Sequence, residues 1–313
     1  MKPGKAATSL HRRAESKCLF LFAVILISGC SIKSMAVDAA ADAMAQSGSA
    51  YGSDNDIEFV GMATPFGLKT IESLLDATPD HRGLLLAATR GFTQYSYVYI
   101  DQPANEIETI DISQAYAERK RAHRMYLRAR DYGLRGLAVE HPEIIDAIRR
   151  EPRDAVANTT IEDVGLLYWT AASWAAAISL AKDDPRLVAD LPVIEALIYR
   201  AYELDEAFDQ GAVHVFLISY EMSQSGLHAG ASDRALQHFQ RAVELSEGRQ
   251  AAPYVALAEA LAIPENDAEE FDRLLNEALA IGVDSKSDQR LANLVMQRRA
   301  RWLLANKEQY FLE

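Results

Sequence analysis

Tyr126-Leu127-Arg128-Ala129-Arg130, Ile198-Tyr199-Arg200-Ala201-Tyr202, Phe239-Gln240-Arg241-Ala242-Val243 and Leu275-Asn276-Glu277-Ala278-Leu279 are four versions of one word, a large residue followed three positions later by alanine. Four positions before each large residue stand Ala122, Ile194, Ala235 and Phe271, so every word completes an i, i+4, i+7 stripe on an amphipathic helix. The alanines are 72, 41 and 36 residues apart. The last two intervals approach the roughly 34-residue period of tetratricopeptide units, and the first is about twice that period, as if one unit had drifted. Any amphipathic helix with an alanine would match one word. Recurrence, together with upstream helices of matching length such as Val213 to Met222 and Tyr254 to Leu261, is what reads as a repeat. A large residue followed by a small one lets the second helix of a pair approach its neighbours closely. The predicted fold class is therefore all-α: tetratricopeptide-like stacked helical hairpins forming an α-α superhelix, with Ser225 to Ser232 as an insertion.

Working outward, helix-start signals are frequent. Thr78-Pro79-Asp80 precedes Leu84 to Ile100, Thr160 with Asp163 precedes Leu166 to Leu180, Leu191-Pro192 precedes Ile194 to Leu204, and Asp267 with Glu270 precedes Leu274. Each places an acceptor, a proline or an acidic group where a helix leaves its first N-H groups unpaired. The best period-two alternation, Tyr95-Ser96-Tyr97-Val98-Tyr99, continues a helical run and is read as helix.

The N-terminus reads differently. Lys2, Lys5, Arg12, Arg13 and Lys17 precede the apolar run Cys18 to Ile27, which is too short to span a bilayer and suits the core of a signal peptide. The run ends Leu26-Ile27-Ser28-Gly29-Cys30, which resembles the bacterial lipobox; the alternative is an ordinary secretory signal with a cysteine at that place by chance. The expected organisation is a signal peptide over 1–29, a lipidated N-terminus and tether over 30–56, and a helical domain over 57–313. Lipidation at Cys30 would anchor the chain, since a thiol-linked diacylglycerol with an acylated amine supplies the more than one chain that stable anchoring requires. Ser31, rather than aspartate, favours the outer membrane. The membrane is expected as a partner through this anchor alone.

With Cys18 in the leader and Cys30 under lipid, the two cysteines leave no thiol for a disulfide, metal site or nucleophile. The formal net charge of −13, made more negative by loss of the basic leader, argues against nucleic acid as a partner. His214 is followed at i+3 and i+4 by Leu217 and Ile218, and His238 by Arg241 and Ala242, so no zinc spacing is present. Asp54-Asn55-Asp56 lacks the glycine and terminal glutamate of a calcium loop and reads as solvated linker. Gly-x-Ser-x-Gly is absent, and no nucleophile, base and oxyanion donors converge, so no cofactor, metal or catalytic residue is expected.

Three groups of residues offer binding chemistry. Phe92, Tyr95 and Tyr99 share a helical stripe that reads either as an aromatic pocket wall carrying hydroxyl groups or as a core stripe. Trp169 and Trp174 lie in an alanine-rich helix, five apart and so on different faces, and at most one should line a given pocket. The small neighbours imply close approach of other helices or of a ligand. His214 could bond a ligand or a neighbouring carbonyl. Arg121, Arg124 and Arg128 share one face of a basic run in an acidic chain, which would meet an acidic partner or pair with neighbouring carboxylates.

Longer words carry a resemblance. They include Pro79-Asp80-His81 with Leu84-Leu85-Leu86-Ala87-Ala88, Gly91-Phe92-Thr93-Gln94-Tyr95, and Arg128-Ala129-Arg130-Asp131-Tyr132-Gly133-Leu134-Arg135-Gly136-Leu137. Leu167-Tyr168-Trp169 with Trp174, Ala196-Leu197, Leu204-Asp205-Glu206, Gly211-Ala212-Val213-His214 and His238-Phe239 with Arg241-Ala242 follow in order. Together these resemble the TatT component (T-component) of TRAP-type, tripartite ATP-independent periplasmic transporters over most of the domain, and the lipobox agrees. The resemblance implies a tetratricopeptide-like periplasmic lipoprotein that associates with the TRAP substrate-binding protein and passes or stores a small organic or apolar ligand. A general helical-repeat scaffold of an outer-membrane or envelope assembly would carry the same lipobox and repeats. The oligomeric state, a homo-oligomer included, and the transported solute are left open by the sequence.

Overall fold

The computed structural model describes residues 37, 39–44, 48–224, 226, 229–283 and 288–311. The predicted signal peptide, the lipobox with Cys30 and part of the Ser225 to Ser232 insertion lie outside the described residues. Among the described residues there is no strand. Ten longer helices follow one another: α1 (Ile57–Ala77), α2 (Arg82–Ser96), α3 (Ile112–Ala138), α4 (Val164–Ser179), α5 (Leu191–Leu204), α6 (Phe208–Ser223), α7 (Ala231–Leu245), α8 (Ala252–Leu257), α9 (Ala268–Ala280) and α10 (Arg290–Ala305).

Side-chain caps explain where half of these begin. Asp56, Asp111 and Asp267 each accept a hydrogen bond from the backbone N-H three residues on, at 2.9 Å, and so satisfy a donor that the first turn leaves free. Thr160 and Asp163 form a reciprocal capping box ahead of α4. At α2 the cap is His81, whose Nδ1 accepts from the Leu84 N-H at 3.2 Å, rather than the preceding Thr78-Pro79-Asp80. The stretch around Tyr97 is helical, but Tyr97–Asp101 widens into a π turn before the helix resumes over Gln102–Ile107. A second π turn, Ala258–Ala262, extends α8.

The four repeated words fall in α3, α5, α7 and α9. Their alanines, Ala129, Ala201, Ala242 and Ala278, are all fully buried, as are Ala122, Ile194, Ala235 and Phe271 two turns earlier. Consecutive helices pack on each other: α2 on α3, α3 on α4, α4 on α5, α6 on α7 and α9 on α10. The core runs in successive clusters along the chain, one from α1 to α3, one from the end of α3 to α6 and one from α6 to α10.

Close approach of α3 to its neighbours depends on two glycines. A Cβ at Gly133 would fall on Thr170 Oγ1 and within 3.1 Å of Thr89 Cγ2; one at Gly136 would lie 2.6 Å from Leu166 Cδ2. Residues read as tether also meet the domain. Ala41 is buried in the α1–α3 core, Asp42 pairs with His81 at 3.2 Å, and Gly52 lies directly against the Asp288 carbonyl just before α10.

Asp163 ties three segments together. It is buried, accepts from Thr160 N at 2.7 Å, lies 3.1 Å from His141 Nε2 and pairs with Arg82. Burial raises its carboxyl, but Thr160, His141 and Arg82 outweigh that and hold it below the ordinary aspartate range.

Two outcomes follow from this packing. Gly133→Val is expected to destabilise the fold by about 1–3 kcal/mol through overpacking, read as a lower urea midpoint. Asp163→Asn is expected to cost about 2–3 kcal/mol at neutral pH, the scale of hydrogen bonds to a charged group. Because the folded carboxyl is depressed, its contribution is complete above the unfolded value of about 3.9 and is lost as pH falls through the folded value. The stability gap between wild type and Asp163→Asn should therefore persist from neutrality to about pH 5 and shrink below about pH 4. A gap that stays constant down to pH 3 would contradict this account.

Candidate functional site

Every second helix carries two apolar faces. In α2, Leu84, Leu85, Ala88 and Phe92 are buried in the core, while Leu86, Ala87, Arg90, Gly91 and Gln94 form a separate stripe facing a central cavity. In α4, Leu167, Ala171, Trp174 and Ile178 are buried, and Tyr168, Trp169, Ala172, Ala175 and Ala176 line the same cavity. The inner faces of α6 (Ala212, Val215, Phe216, Ser219), α8 (Ala252, Val255, Ala256) and α10 (Leu291, Ala292, Val295, Met296) continue the wall, with α1 contributing Val60, Thr64 and Leu68. The cavity measures about 1440 Å³, against about 300–1,000 Å³ for ordinary small-molecule pockets. Alanine, glycine and serine recur along the wall, and small side chains leave the space between facing helices unfilled.

The aromatic part of the wall falls into two groups. Tyr168 meets Trp169 edge-on at 5.0 Å and Phe208 at 5.4 Å, and Tyr95 and Tyr99 lie 5.5 Å apart. Phe208 is positioned by an unusual turn: Asp209, Gln210 and Gly211 all have left-handed backbones, with φ of 46°, 57° and 94°. For the first two residues this costs of order 1–3 kcal/mol each. Gly211 packs on Ala242 and Leu245 of α7, so the turn is locked from behind. Asp209 reaches across to accept from Gln289 Nε2 at 2.9 Å, joining α6 to the start of α10.

Of the residues read from sequence as binding candidates, Tyr95, Tyr99 and Trp169 line the cavity and Phe92, Trp174 and His214 do not. The Tyr99 hydroxyl donates to the Ile57 carbonyl at 2.8 Å and its ring lies on Gly61, so it holds α1 as well as lining the wall. Burial is the main reason its hydroxyl is pushed up to about 12. Phe92 turns into the core, stacked on Tyr132 at 5.9 Å with the Arg128 guanidinium 4.9 Å from its ring. Trp174 is fully buried between the guanidinium groups of Arg130 and Arg149, at 4.9 and 5.2 Å. His214 is buried and its Nδ1 lies 2.9 Å from His238 Nδ1, with Glu206 at 3.4 Å from its other nitrogen. Burial lowers both imidazoles, His238 to about 4, and the short Nδ1–Nδ1 contact requires one ring to accept.

The basic face divides similarly. Arg128 is taken up by the buried Glu72, which also receives Tyr132 Oη and Lys69 Nζ at 2.7 Å, and Arg121 pairs with Glu118 at 3.3 Å. Arg124 is exposed and makes no hydrogen bond or ion pair among the described residues.

Sequence reasoning did not single out Arg90, Phe208 or Tyr220. Arg90 shares the i, i+3, i+4 spacing of Leu86, Ala87, Gly91 and Gln94, and that second stripe was the available signal. Tyr220 and Gln224 line both the central cavity and a polar pocket of about 870 Å³ on the other side of α6, where Glu195, Arg200, Glu221 and Arg234 meet. Among the described residues no three His, Cys, Asp or Glu side chains are grouped to hold a metal, and no helix is long and apolar enough to cross a membrane.

Comparison with known proteins bears on the same span. An uncharacterized protein of Treponema pallidum (strain Nichols) is 27% identical over 315 residues, covering 95% of this chain and 98% of the relative. The family model for the TRAP transporter T-component matches residues 53–311, which contain all ten helices and the whole cavity wall contributed by them. The chain belongs to the TRAP transporter T-component family.

Proposed function

We propose that this protein is the lipid-anchored, periplasmic accessory component of a TRAP transporter, associating with the transporter's substrate-binding protein and holding a small organic ligand in its central cavity. Membership of the T-component family supports the transporter role. The observation that carries the ligand reading is the apolar cavity of about 1440 Å³ walled by every second helix. A domain of this size could fill its core; here the wall combines small residues such as Ala87, Ala172, Ala212 and Ala292 with larger apolar ones such as Trp169, Phe216 and Met296, which suits binding an apolar body rather than packing against protein. The alternation of cavity-lining α2, α4, α6, α8 and α10 with backing helices α3, α5, α7 and α9 supports the tetratricopeptide-like hairpin reading. In that reading the repeated words sit on the backing helix of each pair. Nothing in the wall joins a nucleophile to a base and oxyanion donors, and binding rather than catalysis is the reading adopted.

Association is tested by native mass spectrometry of the chain from Ser31 onward, with and without the substrate-binding protein of the same genome's TRAP system. A specific complex at micromolar concentration is expected, and Arg124→Glu, on the exposed basic face of α3, should weaken it. Equimolar mixtures of folded proteins that yield no complex would remove the mechanism and leave the envelope-scaffold role in its place.

Anchoring has its own test. Cells expressing the full chain and fed a radiolabelled fatty acid should label it, and Cys30→Ser should abolish the label and release the protein from the membrane fraction. Labelling that survives Cys30→Ser would overturn the anchor assignment.

A further inference from the structure

The charged side chains of the cavity wall are largely engaged with one another or with neighbours. His81 and Asp42 pair at 3.2 Å, Glu259 accepts from Arg299 Nε at 3.1 Å, and Asp209 is held by Gln289 at 2.9 Å. Arg90 differs. It is on the inner stripe of α2, and its guanidinium makes no hydrogen bond or ion pair among the described residues. Its contact is with the aromatic wall, 5.8 Å from the Trp169 ring centroid, beside the Tyr168 and Phe208 rings. Lys182 also lines the cavity, but beyond the C-terminal end of α4 and so several turns away from Trp169.

A guanidinium resting on an indole face keeps the N-H donors that lie in its own plane, and two of them match the two oxygens of a carboxylate. Such a bidentate, charge-assisted pair is stronger and more directional than a neutral hydrogen bond. Immediately along the wall are surfaces that only an apolar group would cover: Trp169, Phe208 and the alanines of α4. A neutral lipid would leave the guanidinium without an acceptor, and a highly polar solute would leave the aromatic wall uncovered.

From this juxtaposition we infer that Arg90, stacked on Trp169, is the anchor for the carboxylate of an amphiphilic ligand whose apolar ring or chain lies against the aromatic wall of the cavity. The ligand class is a monocarboxylate with an apolar body. This inference rests on the reading of the cavity as a ligand chamber, and its test separates the two.

The full-length protein in lipid nanodiscs is titrated calorimetrically with cyclohexanecarboxylate and, separately, with its neutral counterpart cyclohexylmethanol, against empty nanodiscs. Wild type should bind the carboxylate at least tenfold more tightly than the alcohol. Arg90→Gln should remove that preference while leaving alcohol binding unchanged, and Arg90→Lys should restore part of it, because a charge remains but the planar fork is lost. Thermal unfolding of both variants at the wild-type temperature confirms that the exposed side chain was not holding the fold. Equal affinities for the two probes in wild type, or a preference that survives Arg90→Gln, would overturn the role of Arg90 and leave the chamber intact. Absence of binding by either probe would overturn the chamber reading and this inference with it.

Discussion

The return of the last long helix to the first ones is the constraint on which the rest of the structure depends. Arg298 on α10 donates to the Val98 carbonyl at 3.0 Å, a contact between residues 200 positions apart, and it does so at the π turn that follows α2. Next to it Arg299, 8% exposed, holds Glu259 of the other π turn, and its charge reaches Tyr97 of the first. Widening the helix at both places alters the direction of the following side chains, which ordinary helical spacing would point elsewhere. Removing one member of so buried an ion pair leaves an uncompensated charge, so the closure is sensitive to single changes on either side. Gly52 seals the same junction, with its backbone against the Asp288 carbonyl.

Closure is what makes two apolar faces on one helix tolerable. An open row of helices shaped like α2, α4 and α6 would present its inner stripes to solvent as one large apolar patch, a surface that soluble proteins rarely leave uncovered. Bringing α10 against α1 turns those stripes toward each other. The outer face of each inner helix is then free to build the serial core with α3, α5, α7 and α9. Division of labour along the helix surface follows: Leu84, Trp174 and Leu217 go to the core, while Ala87, Ala172 and Ala212, with rings such as Trp169 and Phe216 among them, face the cavity.

That division also sets what the sequence could and could not reveal. The stripes ending at Ala129, Ala201, Ala242 and Ala278 were legible because backing helices have one apolar side, and a single stripe has a readable phase. The inner helices are apolar on two sides, so periodicity identifies neither side as the cavity. Phe92 and Tyr95 therefore read as one stripe, either pocket wall or core, although three residues turn one toward Tyr132 in the core and the other into the cavity. Trp169 and Trp174 were correctly set on different faces, but which of them faces the cavity depends on where α3 and α5 pack. His214 is adjacent to the wall residues Ala212 and Val215, and is drawn away by His238, which no local spacing announces. Arg90 was missed for a different reason: although it shares the second stripe of α2, a lone arginine on a helix reads as solvated until the facing helices are in place.

The contacts of Ala41, Asp42 and Gly52 with the domain bear on how the cavity would be held. Ala41 is buried in the core and Asp42 is paired with His81, so the chain is already fixed to the domain a short way past Cys30. On the proposed anchoring at Cys30, the length of chain between it and Ala41 sets how far the domain can stand from the membrane. At most roughly 3.5 Å per residue, that distance cannot exceed about 40 Å. A domain so held would stay in a shallow layer over its membrane and would meet only partners that reach that layer. Sorting to the outer membrane, as Ser31 suggests, would thus confine the protein to partners that diffuse to it.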